Sequence, residues 1–234
     1  MADDNKPMKY ARYAIGEIAL VVIGILIALQ INTWNEERKD NKKLKMYVKD
    51  LVSDLEKDTL NLNNYIWYSG KEMEQLKEIH DYINRPDSMI TIDSIINIVP
   101  KISFFNSRPP SLNTETFNTL VSTGDVELIP ESQMNELKSL NFHYKDYEYG
   151  SDFNLNIIVE SLMAYLDGYG FLLSEEKNSL VYLSQMENFD EAEFLNKLNN
   201  YVGAKLFTYG VLRSHTEIVL KYSEQTLASL KDLQ

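Results

Sequence analysis

The chain has no cysteine among its 234 residues, which removes disulfides, cysteine nucleophiles and thiolate metal sites together. Histidine is scarce. His80, His143 and His215 are far apart, with no i,i+4 pair and no H-E-x-x-H, so zinc-binding spacing is missing. No G-x-S-x-G, phosphate loop, dinucleotide fingerprint or calcium loop is present, and no cofactor is implied. Positive charge is also in deficit, with 23 Lys and Arg against 35 Asp and Glu, a net charge of −12. Residues 1–50 carry nine basic and seven acidic side chains, whereas residues 51–234 carry 14 and 28. An acidic body argues against nucleic acid, which needs a basic face. No glycine or proline occurs between Gly24 and Gly70, so nothing there interrupts a helix. No alternating strand pattern of useful length and no βαβ rhythm appears.

What is there begins with an apolar run. Ile18 to Leu29 is uninterrupted, and the flanks Tyr13–Gly16 and Ile31–Trp34 extend it. About 22 residues of helix span roughly 33 Å, enough to cross a hydrocarbon core of about 30 Å. Tyr10, Tyr13 and Trp34 sit where interfacial aromatic belts are expected. A cleavable signal peptide would end at a small-x-small site, but this run ends in Gln30-Ile31-Asn32-Thr33-Trp34. The pattern predicts a retained transmembrane helix over 13–35, behind a short tail of residues 1–12 and ahead of an acidic helical domain of residues 36–234. The bilayer is thus its first expected partner.

At 100° per residue, Glu17, Gly24, Ala28 and Asn35 fall within about 20° of one line down this helix. Gly24-x-x-x-Ala28 permits close approach of two helices. A carboxyl in lipid is costly and usually faces a partner helix or water, or snorkels to the interface. This line is the expected helix–helix interface of a homo-oligomer. The basic cluster Arg38, Lys39, Lys42, Lys43 and Lys45 follows the anchor and reads as a segment touching lipid headgroups.

The stretch GEIALVVIGILIALQINTWNEERK resembles the N-terminal signature of an uncharacterised family of small single-pass membrane proteins from Gram-negative bacteria. TFNTLVSTGDVELIP, Thr116 to Pro130, resembles that family's internal motif. The resemblance implies a bacterial inner-membrane location and brings no catalytic residues. Lys and Arg counted beyond the anchor favour a cytoplasmic domain; a basic N-terminal tail before one uncleaved helix favours the periplasm. The resemblance leans to the periplasm, which is the expectation adopted.

From Leu44 a coiled-coil-like seam runs through Val48, Leu51, Leu55, Leu62, Ile66, Met73, Leu76 and Ile83, with one stutter, to Pro86. Asp58, Ser69 and His80 fill the remaining seam positions. Next come a short helix capped by Thr91 that runs through Val99 and is stopped by Pro100, a loop over residues 103–113, and a helix from Thr114 to Thr123 closed by Gly124. Asp125–Ile129 reads as a short extended piece. Pro130 opens a helix to about Tyr147, and Gly150 separates it from another over Asp152–Asp167. Ser174 caps a helix to about Met186, and Asp190 with Glu193 makes a capping-box start for the last, long helix. Its apolar steps are Leu195, Leu198, Val202, Leu206, Tyr209, Leu212, Val219, Tyr222 and Leu230.

The expected fold is all-α: one N-terminal transmembrane helix continuing into a bundle framed by two long antiparallel helices. If those helices are level at Arg85 and Asp190, Asp58 comes opposite about residue 217, with His215 as its nearest seam-facing partner. The rings Phe142, His143, Tyr144, Tyr147, Tyr149, Tyr165 and Tyr169 are expected as core and interface packing with their hydroxyls at the surface. Phe104 and Phe105 are expected to dock their loop onto the bundle. The expected function is that of a membrane-anchored, non-enzymatic, self-associating scaffold or sensor of the cell envelope, with an envelope protein as a further partner. The alternative is a homo-oligomeric pore or signal transmitter in which Glu17 faces the shared axis.

Overall fold

The computed structural model describes residues 6–85, 91–102, 108–173 and 176–233. Helix α1 runs unbroken for 78 residues, Lys6–Ile83. The absence of glycine and proline between Gly24 and Gly70, and of proline from there to Pro86, leaves nothing to stop it before the Asn84–Arg85 turn. Its N-terminal part includes an 18-residue window of mean hydropathy 2.5, none of it buried within the chain, and is long and apolar enough to cross a membrane.

Five further helices follow among the described residues: α2 (Ile92–Ile96), α3 (Glu115–Ser122), α4 (Glu131–Tyr169), α5 (Leu180–Glu187) and α6 (Glu191–Lys231). Short 3-10 turns cover Val99–Lys101, Asp125–Leu128 and Gly170–Leu173. No strand occurs among the described residues, and the all-α expectation holds. Local signals set several boundaries. Thr91 and Ser179 cap α2 and α5 through their hydroxyls, and Asp190 Oδ1 accepts from Glu193 N at the start of α6. The Glu193 carboxylate accepts instead from Tyr169 Oη at 3.2 Å, so only half of the capping box forms. Gly124 ends α3 with φ of 77°, where a side chain would be strained.

Three expectations are corrected. Asp125–Leu128 is a 3-10 turn rather than an extended piece. The short helix after Thr91 stops at Ile96, and Val99–Lys101 is 3-10. The two helices expected around Gly150 are one helix, α4, of 39 residues. A Cβ on Gly150 would lie 2.9 Å from His215 Nδ1, so this glycine admits α6 to close contact instead of ending a helix. The cap expected at Ser174 and the ring docking expected of Phe104 and Phe105 lie outside the described residues.

The bundle therefore has three long members. α6 packs against both α1 and α4 and runs antiparallel to each. The core has two contiguous parts. One joins Tyr47–Leu62 of α1, α3, the first half of α4 and the end of α6. The other joins Leu76 and Ile79 of α1, α2, the second half of α4 and the first half of α6.

Candidate functional site

The most structured polar region lies where α1 leaves its exposed apolar segment and enters the bundle. Four side chains of α1, spaced by 4, 7 and 4 residues, hold residues 113–125. Lys43 Nζ pairs with Asp125 Oδ1 at 2.8 Å, and Tyr47 Oη donates to Asp125 Oδ2 at 2.9 Å. Tyr47 Oη also meets Thr123 Oγ1 at 3.2 Å. Thr116 Oγ1 donates to Asp54 Oδ2 at 2.5 Å, and Asp58 accepts from Asn113. Lys43 and Tyr47 together hold the Asp125 carboxyl below the usual range, the Lys43 hydrogen bond being the largest cause.

Asp58 is the buried end of this clasp, at 0 % exposure. It takes Asn113 Nδ2 at 2.6 Å, Asn113 N at 3.1 Å and Tyr144 Oη at 3.0 Å. Tyr144 Oη also meets Ser223 Oγ of α6 at 3.2 Å. One carboxylate thus ties α1, the 113–125 segment, α4 and α6. Burial raises the Asp58 pKa, and the bonds from Asn113 and Tyr144 oppose that rise. The adjoining cavity, bounded by Leu51, Asp54, Asn113, Phe117, Leu140 and Tyr144, is about 20 Å³, room for one water.

Asp58 and His215 do not pair. Asp58 is committed to Asn113 and Tyr144, while His215 Nδ1 is buried without a hydrogen-bond partner beside Gly150. The level-ends register causes the error. Asn84, just past the end of α1, bonds Asn199, two turns into α6, at 2.9 Å, and Glu56 pairs with Lys231 at 2.7 Å. The start of α6 overhangs α1, which brings Ser223 rather than His215 to the node.

Glu17, Gly24, Ala28 and Asn35 all lie exposed on α1, and no other described element comes within 4 Å of a Cβ placed on Gly24. The aromatic run divides. Tyr144, Tyr147, Tyr165 and Tyr169 are core, whereas Phe142 and Tyr149 are 68 % and 76 % exposed. The buried hydroxyls turn inward rather than to the surface: Tyr147 Oη donates to Pro110 O at 3.2 Å and Tyr169 Oη to Asp190 O at 3.0 Å.

A second buried ion was missed by sequence reasoning. Lys205 of α6 is 0 % exposed, with Nζ 3.9 Å from Glu72 Oε2 and 5.5 Å from the Tyr209 ring centre. Burial lowers its pKa to about 8, against the pull of Glu72. The signal was available: Leu198, Val202, Lys205, Tyr209 and Leu212 step by four and three. A polar cavity of about 170 Å³ lies beside Arg108, Pro110, Tyr147, Glu148, Ser151 and Asp152.

The family model described as a family of unknown function (DUF6090) matches residues 17–164, more than half of the chain. The chain belongs to that family. The match takes in the apolar segment, the clasp and most of α4, and stops short of α6. Thr116–Pro130 supplies Thr116, Thr123 and Asp125 to the clasp, so this patch serves to fasten the bundle onto α1. No curated protein and no solved structure matches the chain.

Proposed function

We propose that this is a single-pass, non-enzymatic helical scaffold or sensor of the bacterial envelope, held in the inner membrane by residues 13–35, with residues 36–234 in the periplasm, and self-associating through Glu17, Gly24, Ala28 and Asn35. One observation carries the reading: α1 is one unbroken helix from the apolar segment into the bundle core. Whatever tilts or turns the anchor moves the rod, and the rod is clasped to the domain by Lys43, Tyr47, Asp54 and Asp58. Asp58, the buried carboxylate, has its partners inside the fold, which suits a structural role.

The same continuity favours a signal transmitter as the second reading, with Glu17 toward a shared axis. Washing membranes with alkaline carbonate tests the anchor, and the chain is expected to stay in the pellet. Paired reporters fused after Gln234 test the side. The periplasm-dependent reporter is expected to be active and the cytoplasm-dependent one silent; the reverse would place the domain in the cytoplasm.

A further inference from the structure

The side of α1 turned away from the bundle carries large apolar residues in the open. Met46, Leu60 and Trp67 are 52 %, 62 % and 62 % exposed. Counted at 100° per residue from Glu17, Met46, Ser53, Leu60 and Asn64 lie within about 20° of the line through Gly24, Ala28 and Asn35, and Trp67 within about 40°. Val48, Leu51, Leu55 and Leu62, which enter the core, lie about 140–180° away. One face therefore runs from the apolar segment to Trp67, roughly 50 Å beyond Asn35, with Lys42 also on its line, and no described element of the chain covers it.

We infer that this outer face of α1 is the contact surface for a second copy of the chain, paired parallel and in register. This deepens, and rests on, the anchored self-associating reading above. The anchor selects the occupant. Two copies in one membrane share orientation and height, so each face meets its own counterpart along its length. The flanks fit that arrangement. Lys49 and Glu56 border one side of the line, and Asp50 and Lys57 the other, all exposed. A parallel two-fold axis brings Lys49 against Asp50 of the second copy and Glu56 against Lys57 of the second copy, opposite charges at matching heights. Glu56 keeps its own bond to Lys231 while doing so. Ser53 and Asn64 on the line can hydrogen-bond to themselves across the axis. A two-helix contact of this length, centred on Met46, Leu60 and Trp67, can reach the interface area of about 1,200 Å² or more that stable association needs.

Because the chain has no cysteine, single introduced thiols report the contact without background. Full-length Leu60→Cys, Asn61→Cys and Asn63→Cys are compared in carbonate-washed membranes under a mild oxidant. All three positions are exposed on one turn, but Asn61 and Asn63 stand about 80° to either side of the line. Leu60→Cys is expected to give at least about five-fold more disulfide dimer than either neighbour. Met46→Cys should do the same, and the added substitution Trp67→Glu should reduce the Met46→Cys dimer. Equal dimer at all three positions, or none at Leu60→Cys in washed membranes, overturns the inference and leaves the anchor standing. Loss of the chain from the washed membranes sinks the anchored reading itself.

Discussion

A fully buried carboxylate survives in Asp58 because three donors meet it, and the same bonds make its removal costly. Asp58→Ala would leave Asn113 N–H and Asn113 Nδ2 without their acceptor and Tyr144 Oη with Ser223 Oγ alone. We expect a loss of about 3–5 kcal/mol, or on the order of 10 °C in melting temperature of the detergent-solubilised chain. Asp58→Asn keeps one acceptor oxygen but sets an amide donor against those of Asn113, and should cost about half as much. A melting point for Asp58→Ala within about 1 °C of wild type would show that the node does not hold the clasp. Lys205 gives a pH signature. Its pKa falls from 10.5 to about 8 on folding, so the native state binds fewer protons than the unfolded state between those values. Stability then rises with pH across about 8 to 10.5 from this group, by up to about 3 kcal/mol. Lys205→Met should remove that rise. Denaturation of the two proteins at pH 8 and pH 10 checks it, because the remaining titrating groups are common to both. Parallel pH dependence would mean that Lys205 is not held in the dry core.

Elements form where local chemistry and partners agree, and the two can be separated at glycine. Gly150 and Gly203 both lie inside long helices, where each costs about 1 kcal/mol against alanine. A Cβ on Gly150 would meet His215 Nδ1 at 2.9 Å and Cε1 at 3.0 Å, whereas one on Gly203 meets nothing within 4 Å. Gly150→Ala should therefore destabilise by about 1–3 kcal/mol through forced separation of α4 and α6, and Gly203→Ala should stabilise by about 0.5–1 kcal/mol. Thermal melts of both variants decide this, and a stabilising Gly150→Ala would mean that α4 and α6 do not approach so closely. This also marks where the sequence was legible. α1, the Asp190 cap, Gly124 and Pro130 were readable because stripe, cap and turn chemistry act within a few residues. Gly150 was not, because the same glycine signals a break or a close approach depending on a residue 65 positions later. Asp58 announced itself as a misfit on an apolar seam. Its partner did not, since Asn113 sits in an irregular segment without periodicity and the α1–α6 register depends on an overhang that no local signal encodes. On the half-polar core face of α6 the spacing of Lys205 was readable, but Thr208 and Ser223 were not, because an apolar count passes over hydroxyls whose partners, Asn154 O and Tyr144 Oη, lie on another helix.

At the scale of the whole molecule, α1 is a rod whose outer end is gripped by the bundle and whose inner end is the apolar segment. Between them residues 36–43 are exposed, and Lys43 reaches outside α1 to Asp125. If this stretch transmits orientation rigidly, as the proposed anchoring requires, the rotational phase between the apolar segment and the domain should matter more than the length of the link. One alanine inserted after Lys39 turns the outer line of the domain by about 100° against the anchor line, whereas seven alanines turn it by only about 20° while adding roughly 10 Å. Alanine is the strongest helix former, so both insertions should keep the rod helical. Core packing begins at Leu44 and Tyr47, beyond the insertion, so both proteins should melt within about 2 °C of the parent. In washed membranes the Leu60→Cys dimer should then fall at least about five-fold with one inserted alanine and stay near the parent yield with seven. Loss that follows length alone, or equal yields in the two, would show that the anchor does not set the facing of the domain and that α1 is a tether rather than a rod.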